Sequence, residues 1–354
     1  MNHTICTNHK ITRIFVLNYN QTNIKKIILS AALLLIISVS FSQTVTLLTS
    51  GIKISMRGLS VVDDKTIWVS GSGGTVGKSV DAGLTWKWMV VKGFEKNDFR
   101  DIEAFDDLTS VIMGTGDPAY ILKTVDGGET WKVVFENKTK GMFLDAMEFW
   151  NEQSGIVIGD PINGKFYIAR SFDGGSSWQN IPSENYPRAD SGEACFASSG
   201  TNVRKLTKQE AVFITGGLTS HLIRRDHKIE LPIIHGSEST GANSIAVKDF
   251  KTMMIVGGDY NVKDGIIKNC FITKNAAKSW IAPLIPPHGY RSCVEFISGK
   301  KWVTCGLNGV DFTKDDGKTF TLISTDGYHV CRKAKNGKAV YFAGGGGRIG
   351  KLMY

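Results

Sequence analysis

Residues 79–86 read SVDAGLTW, and the same pattern returns as TVDGGETW at residues 124–131 and as SFDGGSSW at residues 171–178. The shared pattern is Ser/Thr-x-Asp-x-Gly-x-Ser/Thr-Trp. Two altered copies follow: TKNAAKSW at residues 273–280 replaces the aspartate and the glycine, and TKDDGKTF at residues 313–320 ends in phenylalanine. Recurrence of one motif along a chain indicates a repeat protein.

Each position of this box suits a hairpin turn. An aspartate carboxylate accepts backbone N–H bonds across a turn, a glycine adopts positive φ, and an aromatic residue packs between sheets. We therefore expect the box to be structural and its aspartates not to be catalytic. The structural residues are Asp81, Asp126, Asp173, Asp315, Trp86, Trp131, Trp178 and Trp280.

A second repeated element precedes each box position: an apolar strand that ends in glycine. Its copies recur at intervals of about 40 to 50 residues, which is typical of one four-stranded propeller blade. The seven copies are residues 66–71, 110–114, 155–159, 211–216, 253–257, 301–306 and 339–344. In the fourth repeat the box has degenerated to Arg224-Arg225-Asp226, and Leu231 stands where the tryptophan would be.

The two ends of the repeat region complement each other. The last repeat ends after its third strand, at residues 348–353, and a spare strand at residues 44–48 precedes the first inner strand. Pairing these two segments would remove the open sheet edges and close the ring. The sequence therefore predicts an all-β fold over residues 43–354: a single seven-bladed β-propeller of four-stranded blades, closed by the N-terminal strand.

The N-terminal segment is typical of an export signal. Residues 27–41 form an apolar run broken only by serine, with two lysines before it and small residues after it. This pattern predicts a signal peptide over residues 1–42, cleaved before Gln43, with residues 1–23 as an extension that a mis-assigned start would explain. The alternative is a retained membrane anchor, although a span needs about 20 apolar residues. We expect a periplasmic or extracellular protein that is not integral to the membrane after cleavage.

Composition excludes some partners. The formal net charge of +9 falls to about +5 without residues 1–42, and no run of lysine and arginine is present. Nucleic acid is therefore not an expected partner. We expect no cofactor and no metal, because the chain has no Cys-x-x-Cys, and its one Gly-x-Gly-x-x-Gly, at residues 345–350, leads into the last strand and not into a helix. The expected partner of this monomer is a protein or a glycan of the cell envelope.

Two cysteines are placed to meet. Cys293 and Cys305 lie at equal distances in sequence from Gly299. If the hairpin turns there, they face each other across the ladder with Cβ atoms about 4.5–5.5 Å apart. A disulfide prefers about 3.8 Å, so a strained bond and a pair of reduced core thiols are both compatible with the spacing.

The box repeats resemble the Asp-box (BNR) superfamily, which includes sialidases, xyloglucan-cleaving glucanases, sortilin-type receptors and the photosystem II stability/assembly factor. The single short ring, with blades that open on arginine, is most similar to the assembly-factor group and its bacterial relatives outside photosynthesis. The resemblance implies an exported, non-enzymatic binding or assembly propeller.

The alternative function is a sialidase-like or glucanase-like glycoside hydrolase with its site at the channel mouth. The Arg-Ile-Pro tripeptide of sialidases is absent here. Arginines do stand at three equivalent inner-strand starts, and Tyr290 precedes one of them. A second explanation of these arginines is pairing with acids along the channel. The three arginines are Arg57, Arg100 and Arg291, and the acids are Asp101, Glu103 and Glu295.

Strand alternation assigns the loops to two faces. Box turns share one face, and the loops after the second-strand glycines share the other face with the entries to the inner strands. On that second face we predict a ligand site, unless its acids are merely turn residues. The candidate ligand-binding residues are Arg100, Asp160, Glu193, Asp259, Tyr260 and Arg291.

Overall fold

The computed structural model describes residues 43–225 and 227–354. The predicted signal peptide lies outside the described residues. The strands form seven antiparallel sheets arranged as the blades of a ring, so the predicted all-β, seven-bladed propeller is confirmed. In this part of the chain no helix is long and apolar enough to cross a membrane.

The strands follow one another from the channel outwards in each blade. The first strand is β1 (Thr44–Thr49), and blade 1 contains β2 (Met56–Val61), β3 (Ile67–Gly71), β4 (Thr75–Ser79) and β5 (Lys87–Val90). Blade 2 contains β6 (Phe99–Ala104), β7 (Ser110–Gly114), β8 (Ala119–Thr124) and β9 (Lys132–Asn137). Blade 3 contains β10 (Leu144–Phe149), β11 (Gly155–Ile162), β12 (Lys165–Ser171) and β13 (Gln179–Asn180), and is followed by a 3₁₀ turn at Ser183–Asn185.

The second half of the ring is less regular. The next strands are β14 (Glu193–Ala194), β15 (Val203–Lys205), β16 (Ala211–Ile214), β17 (Gly216–Gly217), β18 (His221–Arg224) and β19 (His227–Glu230). Of these, β15, β16, β18 and β19 make blade 4. Blade 5 contains β20 (Thr240–Val247), β21 (Met253–Asp259) and β22 (Cys270–Thr273). Blade 6 contains β23 (Cys293–Ser298), β24 (Lys301–Gly306), β25 (Gly309–Thr313) and β26 (Thr321–Ser324), and blade 7 contains β27 (Val330–Lys333), β28 (Val340–Ala343) and β29 (Ile349–Met353).

The N-terminal strand closes the ring as predicted. β1 pairs antiparallel with β29, with Val45 opposite Leu352 and Thr46 opposite Lys351, and becomes the outermost strand of blade 7. Val45 and Leu48 pack against the apolar core between blades 7 and 1. The closing strand therefore ties the first and last repeats together by hydrogen bonds and by packing.

The box of blade 2 illustrates the turn geometry of the repeats. The Asp126 carboxylate accepts hydrogen bonds from the hydroxyl of Thr124 (2.8 Å) and from the backbone N–H (3.0 Å) and hydroxyl (2.5 Å) of Thr130. The Thr124 hydroxyl accepts a bond from the N–H of Gly128, whose φ is +88°. In blade 5 the amide oxygen of Asn275 holds the corresponding turn without a charge.

Each intact box loop also lies against the preceding blade. Trp131 packs with the core that contains Trp68 of blade 1. A Cβ added to Gly128 would meet the Trp68 ring at 3.5 Å, and one added to Gly175 would meet Val111 of blade 2 at 2.8 Å. The box thus joins neighbouring blades as well as turning a hairpin.

Blades 4 and 5 depart from the regular plan. In blade 4 the box is replaced by a tight hairpin in which Arg224 pairs with His227. Leu231, expected in place of the box tryptophan, lies instead in the core between blades 4 and 5, because the shorter turn shifts it along the strand. In blade 5 the fourth strand is reduced to one pair, Ile272 with Ile281.

Acid is expected to destabilise the protein through the box carboxylates. Hydrogen bonds, the largest contributions coming from the hydroxyls of Thr85 and Thr130, lower the pKa of Asp81 and of Asp126 to about 2. A carboxyl group with a lowered pKa stabilises the fold above its unfolded pKa of about 3.9, and this contribution is lost as the pH falls through the folded value. The Tm measured by calorimetry should therefore fall between about pH 4 and pH 2.

A matched control is the double variant Asp81→Asn, Asp126→Asn. Asn275 shows that an amide can hold the same turn, so the variant should fold at neutral pH and show a smaller fall in Tm with acid. An equal fall in the wild type and in this variant would assign the acid sensitivity to other groups.

Candidate functional site

A cavity of about 410 Å³ opens at the channel mouth, on the face opposite the box turns. Because each blade presents the entry of its inner strand at this face, all seven blades contribute to the wall. Its lining includes Arg57, Arg100, Phe143, Phe196, Ser198, Asn243, Tyr260, Tyr290 and His329. We call this cavity the mouth cavity.

The mouth cavity is cationic. Arg57 and Arg100 line it, and the described lining residues include no aspartate or glutamate. Burial, followed by the charge of Arg100, lowers the pKa of Arg57. Burial and the charges of Arg57, Arg100 and Arg348 lower the pKa of His329 to about 3, so this imidazole is neutral near pH 7. The surrounding field therefore favours an anionic ligand.

The two arginines are held differently. The Nε of Arg100 donates to the Asp98 carboxylate at 2.7 Å, and its guanidinium lies over the Phe143 ring at 5.7 Å. Arg57 donates through Nη1 to the carbonyl of Ser198 at 3.3 Å. Both guanidinium groups keep donors that a ligand carboxylate could engage.

Aromatic and amide groups complete the wall. The Tyr290 hydroxyl donates to the Asn243 side chain at 2.8 Å, which fixes both groups in a buried position. The ring of Tyr260 meets that of Phe196 edge-on at 5.9 Å. The cavity therefore combines cationic donors with apolar surface, a combination suited to a carboxylate attached to an apolar body.

Four of the predicted site residues lie near this mouth in different settings. Arg100 and Tyr260 line the mouth cavity. Asp160 lies behind its wall, where its carboxylate accepts the N–H of Cys195 at 2.9 Å and burial raises its pKa to about 6. Asp259 accepts the N–H of Asn261 in its own turn, so it acts as a turn residue, which was the alternative to ligand binding.

Glu193 does not line the mouth cavity and is instead part of a closed cluster. Its carboxylate accepts bonds from the Thr215 hydroxyl, from His221 Nδ1 at 2.9 Å and from Lys228 Nζ at 2.6 Å. Burial opposes ionisation, but the hydrogen bonds from His221, Lys228 and Thr215 lower the pKa of Glu193 to about 2. Glu193 begins the short strand β14 and not an inner strand, and these partners take up its charge.

Arg291 is likewise withdrawn from the mouth cavity. It is fully buried and its Nε donates to Asp311 at 2.6 Å, while Nη1 donates to Asn308 at 2.5 Å. The alternative explanation of the arginines is also corrected, because Arg291 pairs with Asp311 and Arg100 with Asp98 rather than with Asp101, Glu103 or Glu295. The partners come from loops and third strands, not from inner strands.

Three of the residues that the prediction missed share one position. Arg57 and Asn243 lie near the start of an inner strand and His329 lies just before one, whereas Phe196 lies between β14 and β15. The sequence signal that could have found them is the blade period. Once the start of one inner strand is assigned to the mouth, the period predicts that the corresponding residue of every other blade lies there too.

The other end of the channel holds a second cavity, of about 610 Å³, on the box-turn face. Several of its charged groups are paired with one another. Arg204 bridges Glu148 at 3.4 Å and Glu295 at 3.2 Å, and Lys335 binds Glu103 at 2.7 Å. Burial raises the pKa of Glu295 to about 7. This cavity is therefore lined by glutamates as well as by basic residues, unlike the mouth cavity.

The cysteines form a buried thiol cluster. Cys293 and Cys305 are cross-strand partners, as the spacing predicted, but all five described cysteines are free thiols. The Sγ of Cys331, from blade 7, lies 3.6 Å from that of Cys293. The disulfide is therefore corrected to the alternative of reduced core thiols, with Cys331 as a third member.

Two groups of described residues have the spacing of metal ligands. One is the thiol cluster, and the other comprises Asp190, Glu193 and His221. In the second group Lys228 already binds both carboxylates, which occupies the place a cation would take.

No protein-family model and no curated protein sequence matches the chain. Its fold is similar to that of YCF48 bound to D1 peptide, with a TM-score of 0.61 and 13% identity over 88% of this chain and 97% of that chain. YCF48 from Cyanidioschyzon merolae gives a TM-score of 0.62 and 14% identity over 87% and 98% of the two chains. The WD40 β-propeller domain of Doa1 gives 0.57 and 14% identity over 87% and 97%. At such low identity these similarities show the shared propeller fold, and membership of the Asp-box superfamily stays a prediction.

Proposed function

We propose that this chain is a non-enzymatic binding and assembly propeller that recognises an acidic segment of a partner protein in the mouth cavity. The observation that carries the proposal is a cavity lined by Arg57 and Arg100, with no carboxylate among its described lining residues. Arginine engages carboxylates through paired hydrogen bonds, which gives orientation as well as affinity.

The shape and chemistry of the mouth cavity suit a peptide. Its volume of about 410 Å³ accommodates a few side chains, and aromatic residues supply the apolar contact that a peptide offers between its charges. YCF48, a propeller of the same fold, has a solved structure in which it is bound to a D1 peptide. That similarity favours a protein partner over a glycan here.

Glycoside hydrolysis finds less support. This chemistry ordinarily uses two carboxyl groups that flank the scissile bond. The nearest candidates are Asp160, whose carboxylate accepts a wall N–H, and Asp145, whose pKa is raised by burial and by the neighbouring Asp160 charge. Neither carboxylate lines the mouth cavity. We therefore keep binding as the proposed function, and propose from the apolar run at residues 27–41 that it acts outside the cytoplasm.

The test compares capture with catalysis. Immobilised protein should retain an envelope protein that the variant Arg57→Glu, Arg100→Glu does not retain, and should release no sugar from sialosides or β-glucan oligosaccharides. A clear rate of hydrolysis that is abolished by Asp160→Asn would overturn the proposal. Equal capture by the wild type and by the variant would show that the partner does not bind in the mouth cavity.

A further inference from the structure

The sides of blades 1, 2 and 5 are covered by the box loop of the next blade. The box loop contacts the residue that lies three positions before the glycine of the blade's second strand. In blade 5 this residue is Met254, and a Cβ added to Gly317 in the box of blade 6 would meet its Cε at 2.6 Å. Trp68 and Val111 have the same place in blades 1 and 2, and meet the boxes of blades 2 and 3.

Blade 3 lacks this cover. Ile156 has the corresponding place, since it lies opposite Arg170 just as Val111 lies opposite Lys123. The next blade turns by a tight hairpin in which Arg224 pairs with His227, so it has no box loop to extend sideways. A groove of about 750 Å³ remains between the two blades. We call it the blade 3–4 groove.

The floor of the blade 3–4 groove is apolar. It is formed by Ile156 and Ile168 of blade 3 and by Phe213 and Ile223 of blade 4. These residues belong to one core cluster, to which blade 4 contributes no box tryptophan. At the boundaries of blades 1–2 and 2–3 a box tryptophan packs into this kind of cluster, Trp131 in the first and Trp178 in the second.

The rim of the groove is basic. Arg170, Arg188, Arg225 and Lys228 line it, against two glutamates. Arg225 pairs with Glu210, and Lys228 binds outside the groove to Glu193. Arg170 lies over the Trp150 ring at 5.3 Å, and neither Arg170 nor Arg188 is in an ion pair with another described residue. These two arginines remain to bind an external anion.

We propose that the blade 3–4 groove is a second docking site, which takes an aromatic side chain flanked by acidic residues from a partner peptide. The aromatic ring would fill the space that a box tryptophan fills elsewhere, and its acidic neighbours would meet Arg170 and Arg188. The site lies on the side of the ring and does not depend on the mouth cavity, so it goes beyond the proposed function.

The test uses a defined probe, the fluorescein-labelled peptide acetyl-GDEWEDG-amide, and its GDEAEDG counterpart. By fluorescence anisotropy the tryptophan peptide should bind about 10-fold more tightly or better, because buried aromatic anchors dominate such interfaces. Arg170→Glu should weaken its binding about 10-fold, since it replaces attraction by repulsion. Lys92→Glu, at an exposed residue of blade 1, is the charge-matched control and should leave the binding unchanged.

A filling variant tests the empty space directly. In the background of Arg57→Glu, Arg100→Glu, which removes acidic-peptide binding at the mouth cavity, Ile156→Trp should place an indole in the groove, keep the Tm within a few degrees and abolish binding of the tryptophan peptide. Val111→Trp is its matched control: the box of blade 3 already covers Val111, so overpacking should lower the Tm. The variant Arg57→Glu, Arg100→Glu should still bind the tryptophan peptide.

Two results would overturn the second site. One is equal binding of the tryptophan and alanine peptides to the wild type. The other is unchanged binding by Arg170→Glu, which stands as a test even if Ile156→Trp does not fold.

Discussion

Replacing Arg57 and Arg100 together by glutamate is expected to weaken the binding of an acidic peptide by about 100-fold or more. A hydrogen bond to a charged group contributes about 1.5–3 kcal/mol, and each 1.4 kcal/mol corresponds to about a tenfold change in affinity. The two substitutions remove the cavity's cationic donors and add repulsion in a mouth whose described lining holds no carboxylate. The measurement is fluorescence anisotropy with a labelled decapeptide of alternating glutamate and leucine.

The controls separate charge recognition from general damage. The glutamine counterpart of the peptide should bind weakly to the wild type, and rising salt should weaken the glutamate peptide because exposed charges are screened. Ile156→Trp and Lys92→Glu should bind the glutamate peptide like the wild type. Unchanged affinity of the double arginine variant, with an intact fold by circular dichroism, would contradict peptide binding at the mouth cavity.

Deleting residues 44–49 is expected to lower the free energy of unfolding substantially. The strand β1 contributes a ladder to β29 and packs Val45 and Leu48 against the core. At about 1 kcal/mol for each ladder hydrogen bond and about 1–2 kcal/mol for each half-buried aliphatic side chain, the loss is roughly 5 kcal/mol. Urea unfolding followed by circular dichroism measures this difference.

The deletion also exposes a sheet edge. β29 would present unpaired backbone groups to solvent, so the truncated protein should self-associate in size-exclusion chromatography. A synthetic peptide of residues 43–55, added in trans, should restore both the stability and the monomeric elution of the truncated protein. A truncated protein with the stability of the full chain would show that β1 does not hold the ring closed.

The fold was predictable because its signals are local or periodic. In a box such as that of Asp126, the side-chain hydrogen bonds of the turn join residues within four positions of each other, so the motif fixes its own hairpin. The strand–glycine period gave the number of blades. Cys293 and Cys305 are opposed as the turn position predicted, although a register shift between Phe296 and Ser298 also contributes to the pairing.

The candidate site was predictable only in part. Strand order gave the face on which Arg100 and Tyr260 lie, and the blade period could have added Arg57 and His329. The sequence did not distinguish Arg100, which lines the mouth cavity, from Arg291, which is sealed against Asp311. The sequence pattern placed both arginines at inner-strand starts, but Arg100 lies within β6, whereas Arg291 lies two residues before β23 and meets Asp311 of β25.

The sequence by itself determined the number of blades and the order of strands, because these follow from repeats and local turns. It also indicated the closure of the ring, because a spare strand at one end of the chain matches a missing strand at the other, although the pairing of β1 with β29 joins residues far apart in sequence. Only the tertiary structure decided which charges remain available, because a charge is neutralised by partners from distant strands, as Glu193 is by Lys228. The tertiary structure also decided where a groove remains between two blades. The degenerate fourth box was visible in the sequence, but the groove between blades 3 and 4 depends on how the side chains of the two blades pack.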